Sequence, residues 1–181
     1  MRCEWANSSK EMQAYHDNEW GKISHDENYF FEMLILEGAQ AGLSWATIIK
    51  RRQNYQQAYE NFDVDKVAAF DQIKKDTLLK DSGIIRNHLK IDSSINNAKL
   101  IVAMHQKGEK FSDYIWNFVD NQPIINHYSD MSEVPAQTPL SQKISRDLKK
   151  RGFKFVGPTI IYSFLQAVGV INDHLDSCNY K

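Results

Sequence analysis

Apolar residues recur along most of this chain at intervals of three and four, the period that buries one face of an α-helix. In SHDENYFFEMLILEGAQAG, residues 24 to 42, Phe30, Phe31, Leu34 and Ile35 keep that period. Ser24 and Glu27 stand before it at capping-box spacing, and Gly38 or Gly42 can end the run. SWATIIKRRQNYQQAYENF follows with Ser44 as N-cap, and Trp45, Ile48, Ile49, Tyr55 and Tyr59 supply much of an apolar stripe. Asp63 can cap VDKVAAF, and Asp76 can cap TLLKD. NHLKIDSSINNAKLIVAMHQ carries Leu89, Ile95, Leu100, Val102 and Met104 at a roughly helical period, with Gly108 after it. Ser112 can cap DYIWNFVDN, which Pro123 stops. Pro123, Pro135 and Pro139 make residues 121–139 read as a long connection. Thr138 then starts a helix with Pro139 in its first turn, and Pro158 starts another that Gly169 ends. No run alternates strongly enough to predict a strand, and there is no repeat or low-complexity segment. The expected fold class is all-α, with many short helices.

At 181 residues the chain suits a single domain over 1–181, or two helical lobes sharing a core. Its 42% hydrophobic and 25% charged residues are those of a globular protein. The formal net charge of -1 gives no global basic signal, so any site for nucleic acid must be a local patch. MRCEWANSSKEM lacks the apolar stretch of a signal peptide, and no later run is long and apolar enough to span a membrane. The expectation is a cytoplasmic protein without membrane contact, with a monomer as the default state.

That setting bears on the two cysteines, Cys3 and Cys178. A disulfide between them is disfavoured where thiols stay reduced. Two buried thiols, a metal site or a redox pair remain. His174 and Cys178 are four apart in NDHLDSC and share a face if that stretch is helical. A closed structural zinc site takes four thiolate and imidazole ligands. Cys3 is a candidate for a third, and His16, in YHDNEWG, is the histidine nearest to it in sequence. The competing reading is of exposed histidines and reduced core thiols. Four protein ligands would leave no open position, so such an ion would be structural.

Two other features carry candidate chemistry. KKRGFKFVGPTIIYSFLQAVG reads as helix, tight hairpin, helix, with Gly152 and Gly157 bracketing the turn. Free amides at the start of the second helix would suit a phosphate, and Lys149, Lys150, Arg151 and Lys154 make the area locally basic. The pattern is similar to a helix-hairpin-helix DNA-binding element; the alternative is an ordinary turn with a solvated basic face. LLKDSGIIRNHLKI is a weaker second turn of this kind, with Gly83 and Arg86. The other feature is a gathering of aromatic and acidic residues in the first fifty positions: Trp5, Tyr15, Trp20, Glu37 and Trp45. Glu37 lies in the apolar run LILEGAQAG, where a carboxylate is costly unless paired or given a ligand. Flat apolar walls with one acceptor would suit a purine, and a cationic base would gain further from both.

YHDNEWG, LEGAQAGLSW, GIIRNHLKI, WNFV, KKRGFKFVGPTIIYSFLQAVG and NDHLDSC together resemble the 3-methyladenine DNA glycosylase I family, over essentially the whole chain and in the family's order. The resemblance implies an all-α helix-hairpin-helix glycosylase fold acting on double-stranded alkylated DNA, with free 3-methyladenine as product. It implies a structural zinc clasp on Cys3, His16, His174 and Cys178. It makes Glu37 the carboxylate that accepts hydrogen bonds from the flipped base, with Tyr15 beside it and Trp45 stacking; Trp5 and Trp20 become further walls. Residues 40–44, with Gln40, Gly42 and Leu43, match the loop that enters the duplex. Gly152, Lys154 and Gly157 match the phosphate-binding hairpin. The segment SDMSEVPAQTPLSQ matches only loosely, and no function is assigned to it.

Methylation at the 3-position makes adenine a cation and weakens its glycosidic bond. A site can then work without an obvious catalytic Asp, so Asp173, next to a presumed metal ligand, is not assigned catalysis. Glu37 supplies selectivity and some electrostatic help, and the absence of a candidate nucleophilic Lys leaves no lyase step. Two other classes compete: a non-enzymatic helix-hairpin-helix DNA-binding module, and a zinc-stapled interaction domain.

Overall fold

The computed structural model describes residues 1–181, and α-helices account for nearly all of its regular structure. They are α1 (Lys10–Asn18), α2 (Glu27–Gln40), α3 (Trp45–Ile49), α4 (Arg52–Ala58), α5 (Val64–Ala68), α6 (Gln72–Lys80), α7 (His88–His105), α8 (Phe111–Trp116), α9 (Pro139–Lys150) and α10 (Pro158–Ala167). The two strands, β1 (Ile124–Ile125) and β2 (Ile171–Asn172), form one short parallel pair that ties the long connection to the C-terminal segment. No alternation could reveal a pairing of two residues.

Helix α2 is the hub. All of its residues from Phe30 to Ala39 are buried, and it packs on α3, α7, α8 and α10. A helix buried on every side belongs in the middle of a core. Two of those buried residues are acidic, and they are treated differently. Glu32 receives a two-pronged grip from Arg52, at 2.8 and 3.1 Å, while the third guanidinium nitrogen reaches Glu19 at 2.8 Å. Glu37 has no such partner.

Several helix starts follow the local pattern: Ser44, Asp63 and Thr138 each accept from a backbone amide three residues on. Others do not. Asp26, not Ser24, caps α2, because Ser24 is drawn into extended chain by its amide bond to Val168. Asp71, not Asp76, caps α6, and Asp76 lies inside the helix. Ser112 lies inside α8, whose N-cap Lys110 offers no side-chain bond; instead the Glu27 carboxylate accepts from the Phe111 and Ser112 amides at 3.0 and 2.5 Å. The run after Ser44 divides into α3 and α4 at Lys50 and Arg51. On α7 the buried stripe is Ile91, Ile95, Ala98, Ile101 and Met104, while Leu89 is 69% exposed.

The end of α10 depends on a close approach. Gly169 adopts φ +75°, and a Cβ there would sit 2.1 Å from the Lys22 carbonyl oxygen. Gly169→Ala should therefore lose about 3 kcal/mol or more of stability, read as a lower urea midpoint at unchanged slope.

Candidate functional site

The five residues singled out in the first fifty positions converge on one cavity of about 440 Å³, a size usual for small-molecule sites. Trp5, Trp20 and Trp45 line it together with Tyr15, Glu37 and Gln40. Trp5 meets Trp20 edge-on at 5.0 Å between centroids, and the Tyr15 and Trp45 rings lie 5.4 Å apart. Trp45 heads α3 because Ser44 caps that helix, and Glu37 is delivered by the last turns of α2.

Three polar atoms in this cavity are buried and unpartnered: Tyr15 Oη, Glu37 Oε2 and Trp45 Nε1. Buried polar groups are nearly always hydrogen-bonded, so three orphans converging on one apolar-walled space point to a ligand that satisfies them. Glu37 is 3% exposed, and burial alone pushes its carboxyl up to about 8. Tyr15 is pushed well above the ordinary tyrosine range, first by burial and then by the nearby Glu37.

The rest of the wall was not legible in the sequence. Tyr162, Ser163 and Gln166 project from α10, and Met131, Val134, Pro135 and Ala136 come from the irregular connection. Residues 131–133 form a single turn closed by an Asp130–Glu133 capping box. Nothing in SDMSEVPAQTPLSQ signalled a wall, because its apolar residues have no period; only the tertiary fold brings them to the cavity. Asp173 is fully buried. Its carboxylate accepts from Asn126 at 2.7 Å, from Gln166 at 2.6 Å and from the Tyr162 hydroxyl. With both oxygens occupied it ties the Tyr162 and Gln166 side chains of the wall to the C-terminal segment.

Cys3, His16, His174 and Cys178 come together as buried residues whose ligand atoms all lie within 4.8 Å of one another. Cys178 Sγ is 3.3 Å from His174 Nδ1 and 3.6 Å from His16 Nε2, and Cys3 Sγ is 3.8 Å from His174 Nδ1. A tetrahedral zinc centre, with bonds of about 2.3 Å to sulfur and about 2.0 Å to nitrogen, spaces its ligands by roughly 3.3 to 3.8 Å. The far ring nitrogens are also committed. His16 Nδ1 donates to Asp17 at 2.8 Å and His174 Nε2 to the Trp20 carbonyl at 2.9 Å. Each inner nitrogen then carries a lone pair turned toward the sulfurs, the arrangement metal-bound histidines show; that of His16 Nε2 also accepts from the Cys3 amide at 3.3 Å. The donor set fits a thiophilic cation. The cluster also touches the cavity: the His174 ring lies 4.6 Å from Trp20 and the His16 ring 5.2 Å from Trp5.

The hairpin between α9 and α10 turns on Gly152, at φ +94°, and Phe155, at φ +53°. Phe153 and Val156 point into the core. Asn97 of α7 grips Lys154 at both its amide and its carbonyl, each at 2.9 Å, and Ser145 donates to the Val156 carbonyl at 2.6 Å. The amides of Phe155, Val156, Gly157, Thr159 and Ile160 donate to no protein group. Lys149, Lys150 and Lys154 are exposed around them. Arg151, by contrast, is held by Asp147 and Glu109 and lies over the Tyr114 ring. Arg86 is exposed in the turn before α7. Gly42, at φ +78°, and Leu43, 41% exposed, sit in the loop joining α2 to α3, beside the cavity.

A family profile described as methyladenine glycosylase matches residues 5–181. DNA-3-methyladenine glycosylase 1 of Escherichia coli (strain K12) is 48% identical over 177 residues, covering 98% of this chain and 95% of that protein. A crystal structure of 3-methyladenine DNA glycosylase I superposes with a TM-score of 0.96 at 47% identity, covering 99% and 98% of the two chains. A tyrosine-to-phenylalanine variant of such an enzyme, solved in complex with 3-methyladenine, superposes with a TM-score of 0.95 at 32% identity, covering 99% and 97%. The cavity, the hairpin and three of the four cluster residues, all but Cys3, lie within the matched stretch, and the chain belongs to the methyladenine glycosylase family.

Proposed function

We propose that this protein hydrolyses the N-glycosidic bond of 3-methyladenine in alkylated double-stranded DNA, releasing the base and leaving an abasic site. The observation that carries this reading is the trio of buried, unpartnered atoms on Tyr15, Glu37 and Trp45 inside an aromatic cavity. A flipped cationic base supplies donors for Glu37, a partner for Tyr15 and a π face for Trp45, while Trp5 and Trp20 close the sides. Without a cation beside it, the Glu37 carboxyl, pushed up to about 8 by burial, holds its proton at neutral pH. A cation against it favours the carboxylate, so capture of the lesion is matched to the charge that marks it.

As the bond breaks, its electron pair passes to the base, which leaves neutral. Water supplies the oxygen to the sugar carbon and loses a proton to solvent. Glu37, the one carboxylate lining the cavity, is the residue we assign to catalysis, through selection of the cationic base and electrostatic help. No lysine lines the cavity, which favours hydrolysis without a lyase step. The free amides of the Gly152–Gly157 hairpin, with Lys154 and the nearby Lys149 and Lys150, suit a backbone phosphate. Gln40, Gly42 and Leu43 are assigned to the duplex gap, Leu43 by its exposure. Zinc on Cys3, His16, His174 and Cys178 would have no open position; it would supply no chemistry and would tie the two ends of the chain behind Trp5 and Trp20. We treat residues 1–181 as one domain. No helix is long and apolar enough to cross a membrane.

Incubating the protein with methylated duplex DNA and separating the released bases by chromatography tests the reading. Free 3-methyladenine is the expected result. Salt-sensitive DNA binding without base release would instead identify a non-enzymatic binding module.

A further inference from the structure

Helix α2 ends at Gln40, where the chain must leave the pocket and turn into the Gln40–Ser44 loop. The last carbonyls of a helix need partners from outside it. Ala41 N–H serves Gly38 at 3.4 Å and Leu43 N–H serves Gln40 at 2.6 Å. The remaining partner comes from a different helix. Lys90, in the first turn of α7, donates from one ammonium to the Ala39 carbonyl and to the Ala41 carbonyl, both at 2.8 Å. One of these oxygens belongs to α2 and the other to the loop, so a single cation clamps the junction. It also complements the negative end of the helix dipole.

The clamp is itself held in place. Asn87 caps the Lys90 amide at 3.1 Å, and the Ser93 and Ser94 hydroxyls both donate to the Lys90 carbonyl. Two turns further along, Asn97 of the same helix grips the hairpin at Lys154. Helix α7 therefore holds both the loop and the hairpin from behind, with Lys90 as its contact to the loop.

We propose that Lys90 is a positioning residue for entry into the duplex: by bridging the Ala39 and Ala41 carbonyls it sets the Gln40–Ser44 loop at the height where Gly42 and Leu43 fill the gap left by the base. This rests on the glycosylase reading above. Lys90 does not line the base cavity, so its role separates from base recognition.

Lys90→Met keeps the length of the side chain and removes the charge and its donors. Excision from methylated duplex DNA should fall about tenfold or more, what losing even one charge-assisted hydrogen bond would cost if it fell wholly on duplex entry. Affinity for free 3-methyladenine, read by tryptophan fluorescence, should stay within about twofold of wild type, since that measurement needs the pocket and not the loop. Lys90→Arg, which can aim two donors at the two carbonyls, should recover most of the duplex activity. If the methionine variant does not fold, Lys90→Gln serves with the same readouts. Duplex excision at the wild-type rate in the uncharged variant would overturn the proposal. So would an equal loss of free-base affinity and duplex excision, which would make Lys90 a support of the pocket. Wild-type protein that binds free base and releases none from DNA would overturn the glycosylase reading, and this inference with it.

Discussion

Glu37→Gln should reduce 3-methyladenine excision by about a hundredfold or more and, above mildly acidic pH, make the protein more stable. The activity loss follows from removing the only carboxylate that lines the cavity; losing a desolvated charged contact costs about 3 kcal/mol or more. The gain in stability follows from proton linkage. The carboxyl rises from its ordinary 4.5 to about 8 in the folded protein. A raised carboxyl binds more protons folded than unfolded, so its contribution is fully present below about 4.5 and is lost as pH climbs toward about 8. By neutral pH the loss is on the order of 3 kcal/mol. Glutamine does not titrate and escapes it. Melting temperatures of the two proteins should thus agree near pH 4.5 and diverge by several degrees by pH 8, with the variant higher. Wild-type excision by this variant would remove Glu37 from the mechanism. Parallel melting curves across that range would show that burial does not raise the Glu37 carboxyl.

The other large expected effect is loss of a metal from the proposed Cys3–His16–His174–Cys178 site. Purified protein should carry one ion per chain, and Cys178→Ser or chelation should remove it. The expected destabilisation is about 3 to 5 kcal/mol, or a fall of roughly 10 °C in melting temperature. This is less than a zinc finger loses, because the core around α2 does not depend on the ion. Pocket function should suffer as well, for a local reason. His174 donates to the Trp20 carbonyl and stacks edge-on against its ring, and Trp5 leans on His16. When those imidazoles are free to turn, two walls of the cavity lose their backing. Metal content, melting temperature and affinity for free 3-methyladenine should fall together. Full metal occupancy in the serine variant would count heavily against the clasp.

These expectations differ in how far they can be read from the chain itself. Caps that act on their own helix, such as Ser44, Asp63 and Thr138, were legible, because the donor and acceptor are three residues apart. The cap of α8 was not. It comes from Glu27, remote in sequence, and Ser112 looked suitable only because the partner was out of sight. Helix α6 misled for a different reason. Ile73 is 76% exposed and Leu78 is its one buried residue, so no stripe marked the true start at Gln72. In the pocket, the density of tryptophans and a glutamate in an apolar run were visible, and the residues concerned do meet. The face of α10 was hidden in a helix that is apolar enough to be plain core. Spacing alone could pair His174 with Cys178 but could not select Cys3 and His16. Family resemblance named those two, and the fold brings all four together.

The wall formed by Met131, Val134, Pro135 and Ala136 has a consequence for how this enzyme could diverge. It belongs to a segment with almost no regular structure, yet its flanks are fastened by the β1–β2 pairing and by the start of α9. Substitutions there need satisfy no helix register and leave α2, the cluster and the hairpin untouched. On the proposed reading, the carboxylate that meets the base's charge would sit on a rigid helix, and the wall that meets its shape on a replaceable strap. Descendants accepting bulkier alkyl groups would be expected to differ first between residues 131 and 136.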